Sequence, residues 1–312
     1  MQTFKKTCPR LSFNLLSVSL GWLTATACGV LPTTLVQDPE SGGGLEVLQA
    51  IVNGNDADAG EYPWMAALVN PRQNNFQFCG GILIAPEWVL TAGHCLQTGA
   101  RVDNVNTVNV VVGRTDLTSD TGEQITVAEA FVHPAYRSLG ATYFDAYISS
   151  FETYPALPVP KTPRLGDIGL LRLSQPATVV NTFPDLATVS DAPLYDPGTV
   201  ATAVGWGAIS ETGDGSDILQ EVEVPVVSNA VCNSPESYAG AVKNDMICAG
   251  FPEGGKDACF GDSGGPLAIP VDSDNWLIIG LTSTGDGCAR PNKYGVYTRV
   301  SSYINWINSI VE

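Results

Sequence analysis

One serine lies in a run of glycines that suits a nucleophile. Residues 261 to 266 read Gly-Asp-Ser-Gly-Gly-Pro, with Ser263 at the centre. Glycines let the backbone adopt conformations that a Cβ would forbid and let a substrate approach closely. A serine hydroxyl is a weak nucleophile until a neighbouring base takes its proton. If Ser263 does covalent chemistry, a histidine is the expected base.

The chain has two histidines, and they stand in different settings. His94 follows the strand-like residues 88 to 90 and precedes Cys95, which could pin it through a disulfide. His133 precedes a proline at the end of a strand pattern, where packing or solvent exposure is the better interpretation. We therefore predict that His94 is the base.

Asp167 is the candidate third member of the set. An imidazole base needs a buried carboxylate on its other nitrogen, because that group fixes the tautomer and stabilises the imidazolium. Asp167 opens the apolar strand pattern of residues 167 to 173, which would carry its carboxylate at the edge of the core. Alone it would be read as a turn cap, but with Ser263 and His94 it predicts nucleophilic catalysis.

The elements that must position these side chains are short strands. Of the 312 residues, 44% are apolar, 15% are charged, 32 are glycine and 21 are proline. This composition permits a sizeable core and excludes a disordered chain or a long helical array. Residues 51 to 300 alternate β-rich runs with turn residues and predict an all-β domain. Only the tail is patterned as a helix, with apolar residues at Tyr303, Ile304, Trp306, Ile307 and Ile310.

Charge and cysteines narrow the classes of partner. The formal net charge is -17, which argues against a binder of nucleic acid or of an anionic membrane, since phosphate binding needs a basic face. Eight cysteines in an exported chain favour disulfides. With two histidines and no close Cys-x-x-Cys pair, we predict neither a metal site nor a cofactor.

The N-terminus predicts export. Three cations within residues 5 to 10 precede the mostly apolar residues 11 to 27, which end in Ala-Thr-Ala. This pattern is typical of a signal peptide over residues 1–27, whereas a transmembrane anchor would need a longer apolar run. Residues 28–50 have the composition of a linker or pro-segment. We expect a secreted, extracellular or periplasmic protein. Cys28 is open to two interpretations, a lipidated cysteine that anchors the precursor or a free thiol in a discarded segment.

Further motifs share an order along residues 51–312. They are Ile-Val-Asn-Gly at 51–54, Tyr-Pro-Trp at 62–64, Phe-Cys-Gly-Gly at 78–81, the histidine segment 88–95, the aspartate segment 167–173, Gly-Trp-Gly at 205–207, Cys-Ala-Gly at 248–250, the serine segment 257–266 and Gly-Val-Tyr at 295–297. In order and spacing they resemble the trypsin-like serine proteases of the chymotrypsin fold. The resemblance implies two packed antiparallel β-barrels, a short C-terminal helix and an active site between the barrels.

Carried over residue by residue, the resemblance implies serine endopeptidase activity. Ser263 would attack the scissile carbonyl, His94 would act as general base and then acid, and Asp167 would orient His94. The amides of Gly261 and Ser263 would form the oxyanion hole. The partners would be protein or peptide substrates, an activating protease and protein inhibitors, and the enzyme would be a monomer.

The resemblance also places a specificity pocket. Asp257 matches the pocket floor, with Ala258 beside it. Gly285 and Gly295 match the walls, and Ser283 is a further substrate-binding position. A carboxylate at the floor pairs with a cationic side chain, which implies cleavage after Arg or Lys. Ala258 replaces a hydroxyl that is common there, and bidentate guanidinium pairing needs less help than an ammonium, so we predict Arg over Lys.

Three disulfides and an activation step follow from the same resemblance. The implied pairs are Cys79 with Cys95, Cys232 with Cys248, and Cys259 with Cys288. A cut after Ala50 would free the amine of Ile51 to pair with Asp262. Because Ala50 is neither Arg nor Lys, we predict that another protease, one accepting small residues, makes this cut.

One departure and two rival functions stay open. His133 and Asp167 are 34 positions apart, and the extra segment is rich in aromatic residues and proline. It is either a lid over the cleft or a surface insertion. A binding module that lost catalysis is disfavoured by the intact set of site residues, and an esterase by the lack of a Gly-x-Ser-x-Gly elbow.

Overall fold

We describe a computed structural model of the chain, which covers residues 50–98, 101–102, 105–136, 163–272 and 275–312. Residues Val47–Glu312 form one compact unit. The signal and pro-segment predictions up to residue 49, including Cys28, lie outside the described residues. So does most of the predicted insertion, from residue 137 to residue 162.

Strands dominate the described part of the chain. In chain order they are β1 (Asn55–Asp56), β2 (Met65–Asn70), β3 (Phe76–Ala85), β4 (Trp88–Thr91), β5 (Gln97–Thr98), β6 (Arg101–Val102), β7 (Asn109–Val112), β8 (Glu123–Val132), β9 (Gly169–Leu173), β10 (Asp185–Leu186), β11 (Val200–Gly205), β12 (Gln220–Val227), β13 (Met246–Ala249), β14 (Pro266–Pro270), β15 (Trp276–Thr284) and β16 (Gly295–Arg299).

The helical elements are short. Asn229–Cys232 and Ile304–Val311 are α-helices, and Ala50–Asn53 form an irregular helical turn in which two residues have non-helical angles. In the described residues, the 3-10 segments Gly93–Cys95, Val105–Thr107 and Val189–Tyr195 lie between strands, and Val300–Ser302 leads from β16 to the C-terminal helix. Among the described residues, none of these helices is long and apolar enough to cross a membrane.

The first barrel closes in the order β2-β3-β4-β9-β8-β7, and every pairing is antiparallel. The strands close into a barrel because their inward-facing side chains are apolar and are buried together in its core. In β8, Ile125 and Val127 are buried while Thr126 between them is exposed, which is the period of two expected for a strand with one face in a core.

The second barrel has the path β12-β11-β14-β15-β16-β13, and a β12–β13 pairing closes it. β1 adds to β12, and β10 runs parallel to β15 outside this ring. Ala203, Val224, Ile247 and Ile279 fill its core. The fold prediction, all-β with two antiparallel barrels, is confirmed.

One apolar cluster joins the barrels to the C-terminal helix. It contains Leu90 and Leu170 from the first barrel, Ile278 and Leu281 from the second, and Ile307 from the helix. The predicted C-terminal helix is thus confirmed, and its apolar face packs on the core. Because the cluster spans both barrels, it sets the positions of loops that belong to different barrels.

Candidate active site

His94 lies in a rigid turn at the end of β4. The 3-10 segment Gly93–Cys95 is buried, and His94 is 9% exposed. Cys95 forms a disulfide with Cys79 of β3, so the turn is tied covalently to the neighbouring strand. The expected role of Cys95, to pin the histidine, agrees with this arrangement.

The pairing of β4 with β9 places Asp167 next to His94. β4 and β9 are antiparallel, with Thr91 opposite Gly169, so the residues just beyond these ends meet. The His94 ring Nδ1 lies 2.8 Å from Asp167 Oδ2, and the His94 amide donates to Asp167 Oδ1 at 2.8 Å. Asp167 is fully buried. Two contacts to one carboxylate hold both the backbone and the ring of His94.

Two further groups contact the Asp167 carboxylate, and the sequence analysis assigned neither of them to it. The Ser283 hydroxyl donates to Oδ2 at 2.5 Å, and Arg164 Nη1 lies 3.9 Å from the same oxygen. Burial raises the pKa of Asp167, but attraction and hydrogen bonding from His94, with Arg164 and Ser283, outweigh it and lower the pKa to about 2. Asp167 is therefore ionised throughout the physiological range.

Ser263 lies beside the histidine turn. Its carbonyl accepts from the Gly80 amide at 2.8 Å and lies 3.6 Å from Cys95 Sγ. The next residue, Gly264, has φ +79°, and a Cβ there would lie 2.2 Å from Thr91 Oγ1. Glycine is thus required for this close approach of the serine loop to β4.

The Ser263 hydroxyl forms no hydrogen bond with the His94 ring among the described residues. The structure therefore forms the imidazole–carboxylate half of the predicted relay and brings the serine loop next to it. Catalytic hydrogen bonds are often long or poorly aligned without substrate and tighten when it binds.

Two backbone amides in the serine loop have no hydrogen-bond acceptor within the described structure and could donate to a bound ligand. The carbonyl of Phe260 accepts from the Ala208 amide at 2.6 Å, and the carbonyl of Gly261 accepts from Gln77 Nε2 at 2.9 Å. A trans peptide points its N–H opposite to its carbonyl, so the Phe260 bond turns the Gly261 amide away from Ala208. Neither the Gly261 nor the Ser263 amide donates to an acceptor among the described residues. Gln77 is a supporting residue that sequence analysis missed.

The predicted pocket floor is buried and partly unsatisfied. Asp257 is 3% exposed, and its Oδ2 accepts from the Ala289 amide at 3.0 Å. Its Oδ1 has no hydrogen-bond partner within the described structure, and a Cβ on Gly295 would lie 2.8 Å from that oxygen. Any side chain at position 295 would thus cover the free carboxylate oxygen.

Burial changes the acidity of Asp257. It raises the pKa of this carboxyl to about 7, against the lowering effect of backbone hydrogen bonds such as that from Ala289. Gly285, predicted to be a pocket wall, is equally constrained, because a Cβ there would lie 2.9 Å from the carbonyl of Gly287. Ala258 and Ser283 are also buried. The Ser283 hydroxyl, predicted at a substrate position, is bonded to Asp167.

Ile51 and Asp262 are both buried next to this region. Ile51 is fully buried. The backbone amide of Val52, the next residue, donates to the carbonyl of Asp257 at 3.1 Å. Asp262 accepts from the Gly207 and Cys259 amides, each at 2.8 Å. Burial raises the pKa of Asp262 to about 7, although these two bonds lower it. A carboxylate in this setting would gain much from a cationic partner.

Cysteine pairing follows the implied scheme. The disulfides are Cys79–Cys95, Cys232–Cys248 and Cys259–Cys288. Cys79, His94 and Cys95 place their ligand atoms within 4.8 Å of one another, the one cluster of metal-ligand type in the described part of the chain. Because both sulfurs are in a disulfide, they are not thiolates and do not offer metal ligands of the usual kind.

Comparison with known proteins agrees with this geometry. The sequence profile of the trypsin family matches residues 51–307. The chain is 41% identical over 253 residues to a trypsin of Saccharopolyspora erythraea, covering 81% of this chain and 94% of that protein. It is 35% identical over 259 residues to the mouse transmembrane protease serine 11C, covering 83% of this chain and 53% of that longer protein. The chain therefore belongs to the trypsin family and is a serine endopeptidase.

Proposed function

We propose that this protein is a secreted endopeptidase that cleaves after Arg, and less well after Lys, with His94, Asp167 and Ser263 as its catalytic triad. The observation that carries the proposal is the bonded His94–Asp167 pair beside the serine loop with its two free amides. The alternative role of Asp167, a cap of the turn before β9, would not require that both the ring and the backbone amide of His94 contact its carboxylate.

In the proposed reaction, Ser263 Oγ attacks the scissile carbonyl carbon as His94 Nε2 takes the hydroxyl proton. Asp167 holds the other ring nitrogen, which fixes the tautomer and stabilises the imidazolium. The Gly261 and Ser263 amides donate to the oxyanion. His94 then gives its proton to the leaving amine, and the C–N bond breaks. Water, deprotonated by His94, then attacks the acyl carbon. His94 returns this proton to Ser263 Oγ as the bond between the acyl carbon and Oγ breaks, which releases the new carboxyl terminus and restores Ser263.

Selectivity in this proposal comes from Asp257. An extended cationic side chain that enters the pocket would meet Oδ1, the carboxylate oxygen that has no partner in the described structure. Pairing with a cation would stabilise the ionised form of this buried carboxyl, which burial alone disfavours. Glycines at 285 and 295 leave room for the chain.

We expect an Arg preference, because Ala258 has no hydroxyl to solvate an ammonium group. A guanidinium can satisfy a carboxylate with two donors from one planar group, whereas an ammonium relies more on neighbouring acceptors. Matched peptides that differ only in Arg or Lys before the scissile bond should give a kcat/KM ratio of about 10 in favour of Arg, and an Ala258→Ser variant should narrow it. Equal values in the native enzyme would contradict this prediction.

A single digest tests the whole proposal. Mature enzyme is incubated with a pool of diverse peptides, and the new termini are sequenced by mass spectrometry, with Ser263→Ala as control. The expected products end in Arg or Lys and are absent from the control. Cleavage after other residues would refute the pocket assignment, and cleavage by the control would refute the nucleophile.

The proposed precursor comprises a signal peptide at residues 1–27, a pro-segment at 28–50 and the protease domain at 51–312. A cut between Ala50 and Ile51 would release an ammonium group close to the pocket floor, where Asp262 is buried. Pairing of that ammonium with Asp262 would offset the cost of the buried charge and hold the pocket in its active form. Export, and an anchor at Cys28 if it is lipidated, belong to the same proposal.

We predict that the enzyme does not mature itself. A Ser263→Ala precursor incubated with active enzyme should keep its Ala50–Ile51 bond, because alanine cannot reach Asp257 in the pocket. The matched Ala50→Arg, Ser263→Ala precursor should be cut there, and an elastase-type protease should cut the alanine form. N-terminal sequencing gives the result, and a new Ile51 terminus in the first reaction would reject the prediction.

A further inference from the structure

Arg164 places a permanent positive charge at the back of the proposed triad. It lies three residues before Asp167, in the segment that enters β9. Its Nη1 is 3.9 Å from Asp167 Oδ2, and only 16% of its side chain is exposed. Within the described residues, Asp167 is the sole carboxylate in ion-pair distance of Arg164. A mostly buried guanidinium is screened less by water than a surface charge, so it acts strongly on its neighbours.

The other groups around Asp167 come from four segments. The His94 ring faces it from the turn after β4, the neutral hydroxyl of Ser283 from β15, and Thr298 of β16 donates to its backbone carbonyl at 2.7 Å. From the side of the C-terminal helix, Tyr303 contacts the Gly166 amide and the carboxylate of Asp245.

Among these groups Arg164 is the fixed cation. His94 gains charge only when it is protonated, and the Tyr303 phenol is neutral because burial raises its pKa above the usual range. The Asp245 carboxylate is separated from Asp167 by the Tyr303 hydroxyl. The guanidinium of Arg164 therefore opposes the negative charge of Asp167.

We propose that Arg164 is a positioning residue that tunes the triad: it shares the Asp167 carboxylate with His94 and resists charge on the imidazole, so that catalysis persists to lower pH. This inference rests on the proposed function, since it requires His94 to be the general base. The reason is electrostatic. A cation near a carboxylate weakens the field with which that carboxylate stabilises a neighbouring imidazolium.

The test is the pH dependence of kcat in Arg164→Gln, with Arg164→Lys as the charge-preserving variant. The substrate is a blocked single-residue arginine anilide, which has no residue N-terminal to the arginine and so excludes subsite contacts. kcat at saturating substrate is used because Asp257 is then paired with the substrate and does not titrate in the same range. The Ser263→Ala protein reports whether the measured activity belongs to the proposed site.

We expect the acidic limb of the kcat profile to move up by roughly half a pH unit or more in Arg164→Gln, and to return towards the native position in Arg164→Lys. On the acidic side of the limb, where kcat falls tenfold per pH unit, a shift of half a unit should lower the relative kcat of the neutral variant by about threefold. An unmoved limb in a folded Arg164→Gln enzyme, or equal shifts in both variants, would overturn the inference and leave the triad standing. Residual activity in Ser263→Ala would overturn both.

Discussion

Replacement of Ser263 by alanine should lower kcat on an arginine peptide by about 10⁶-fold, the size of loss found when the nucleophile of a serine protease of another fold is removed. The physical reason is that, in the proposed mechanism, no other group can form the acyl intermediate at the carbonyl bound by the Gly261 and Ser263 amides. His94→Ala should cost a similar factor, because the hydroxyl then has no base. The double variant should lose little more, since the two residues act as one unit.

Controls separate this loss from misfolding. Ser302→Ala removes an exposed hydroxyl in the turn before the C-terminal helix and should keep full activity. An organophosphate should label native enzyme once, at Ser263, and should not label the Ser263→Ala protein. Circular dichroism and melting temperature should be close to native in all variants. Labelling of another serine, or turnover by the folded alanine variant, would refute the proposed mechanism.

The second large effect is expected at Asp257. Asp257→Ser should lower kcat/KM for arginine peptides by at least about 30-fold, since removal of one partner of a buried charge pair costs 2 to 5 kcal/mol or more. Peptides with a small apolar residue before the scissile bond should be cleaved no worse than by native enzyme. Both rates are obtained from the same preparation, so an equal loss on the two peptides would indicate damaged catalysis and contradict the pocket assignment.

The elevated pKa of Asp257 gives this pocket a measurable pH signature. With a pKa of about 7 in the empty pocket, the carboxyl is protonated at lower pH and must lose its proton before it pairs with a cation. The Kd of benzamidine, a small cation, should therefore be constant above pH 8 and rise towards tenfold per pH unit below about pH 6. Calorimetry gives these values. Asp257→Asn, which keeps the shape of the floor, should bind weakly and without this pH dependence, and a native profile flat from pH 5 to 8 would contradict the raised pKa.

Much of the candidate site was predictable from residue types and spacing. Ser263 stands among glycines because the loop must approach β4 more closely than a Cβ permits, and that requirement is visible in the sequence. The apolar pattern that begins at Asp167 predicted both a core strand and a carboxylate at its edge, and β9 confirmed the strand. The three cysteine pairs, which the resemblance to the family implied and spacing alone did not, agree with the structure as well.

Other contacts in the candidate site could not be predicted from the local pattern of the sequence. Ser283 is 116 residues from Asp167, yet its hydroxyl bonds that carboxylate. Gln77 holds the carbonyl of Gly261 across 184 residues. A serine or a glutamine in a strand has many partners of equal chemistry, and only the register of the two barrels selects one. Nothing local marks Arg164 as a partner of Asp167, because the direction of a long side chain depends on what packs around it.

The amino-acid sequence by itself determined which groups are present for chemistry and which strands form, because nucleophile, base, carboxylates and the alternation of apolar residues are local properties of the chain. Tertiary structure alone decided the electrostatic state of those groups. The pKa of Asp167 is lowered to about 2 while burial raises that of Asp257 to about 7, although both are buried aspartates. The difference arises because a buried charge is governed by the few dipoles and cations that long-range packing brings within a few ångströms of it.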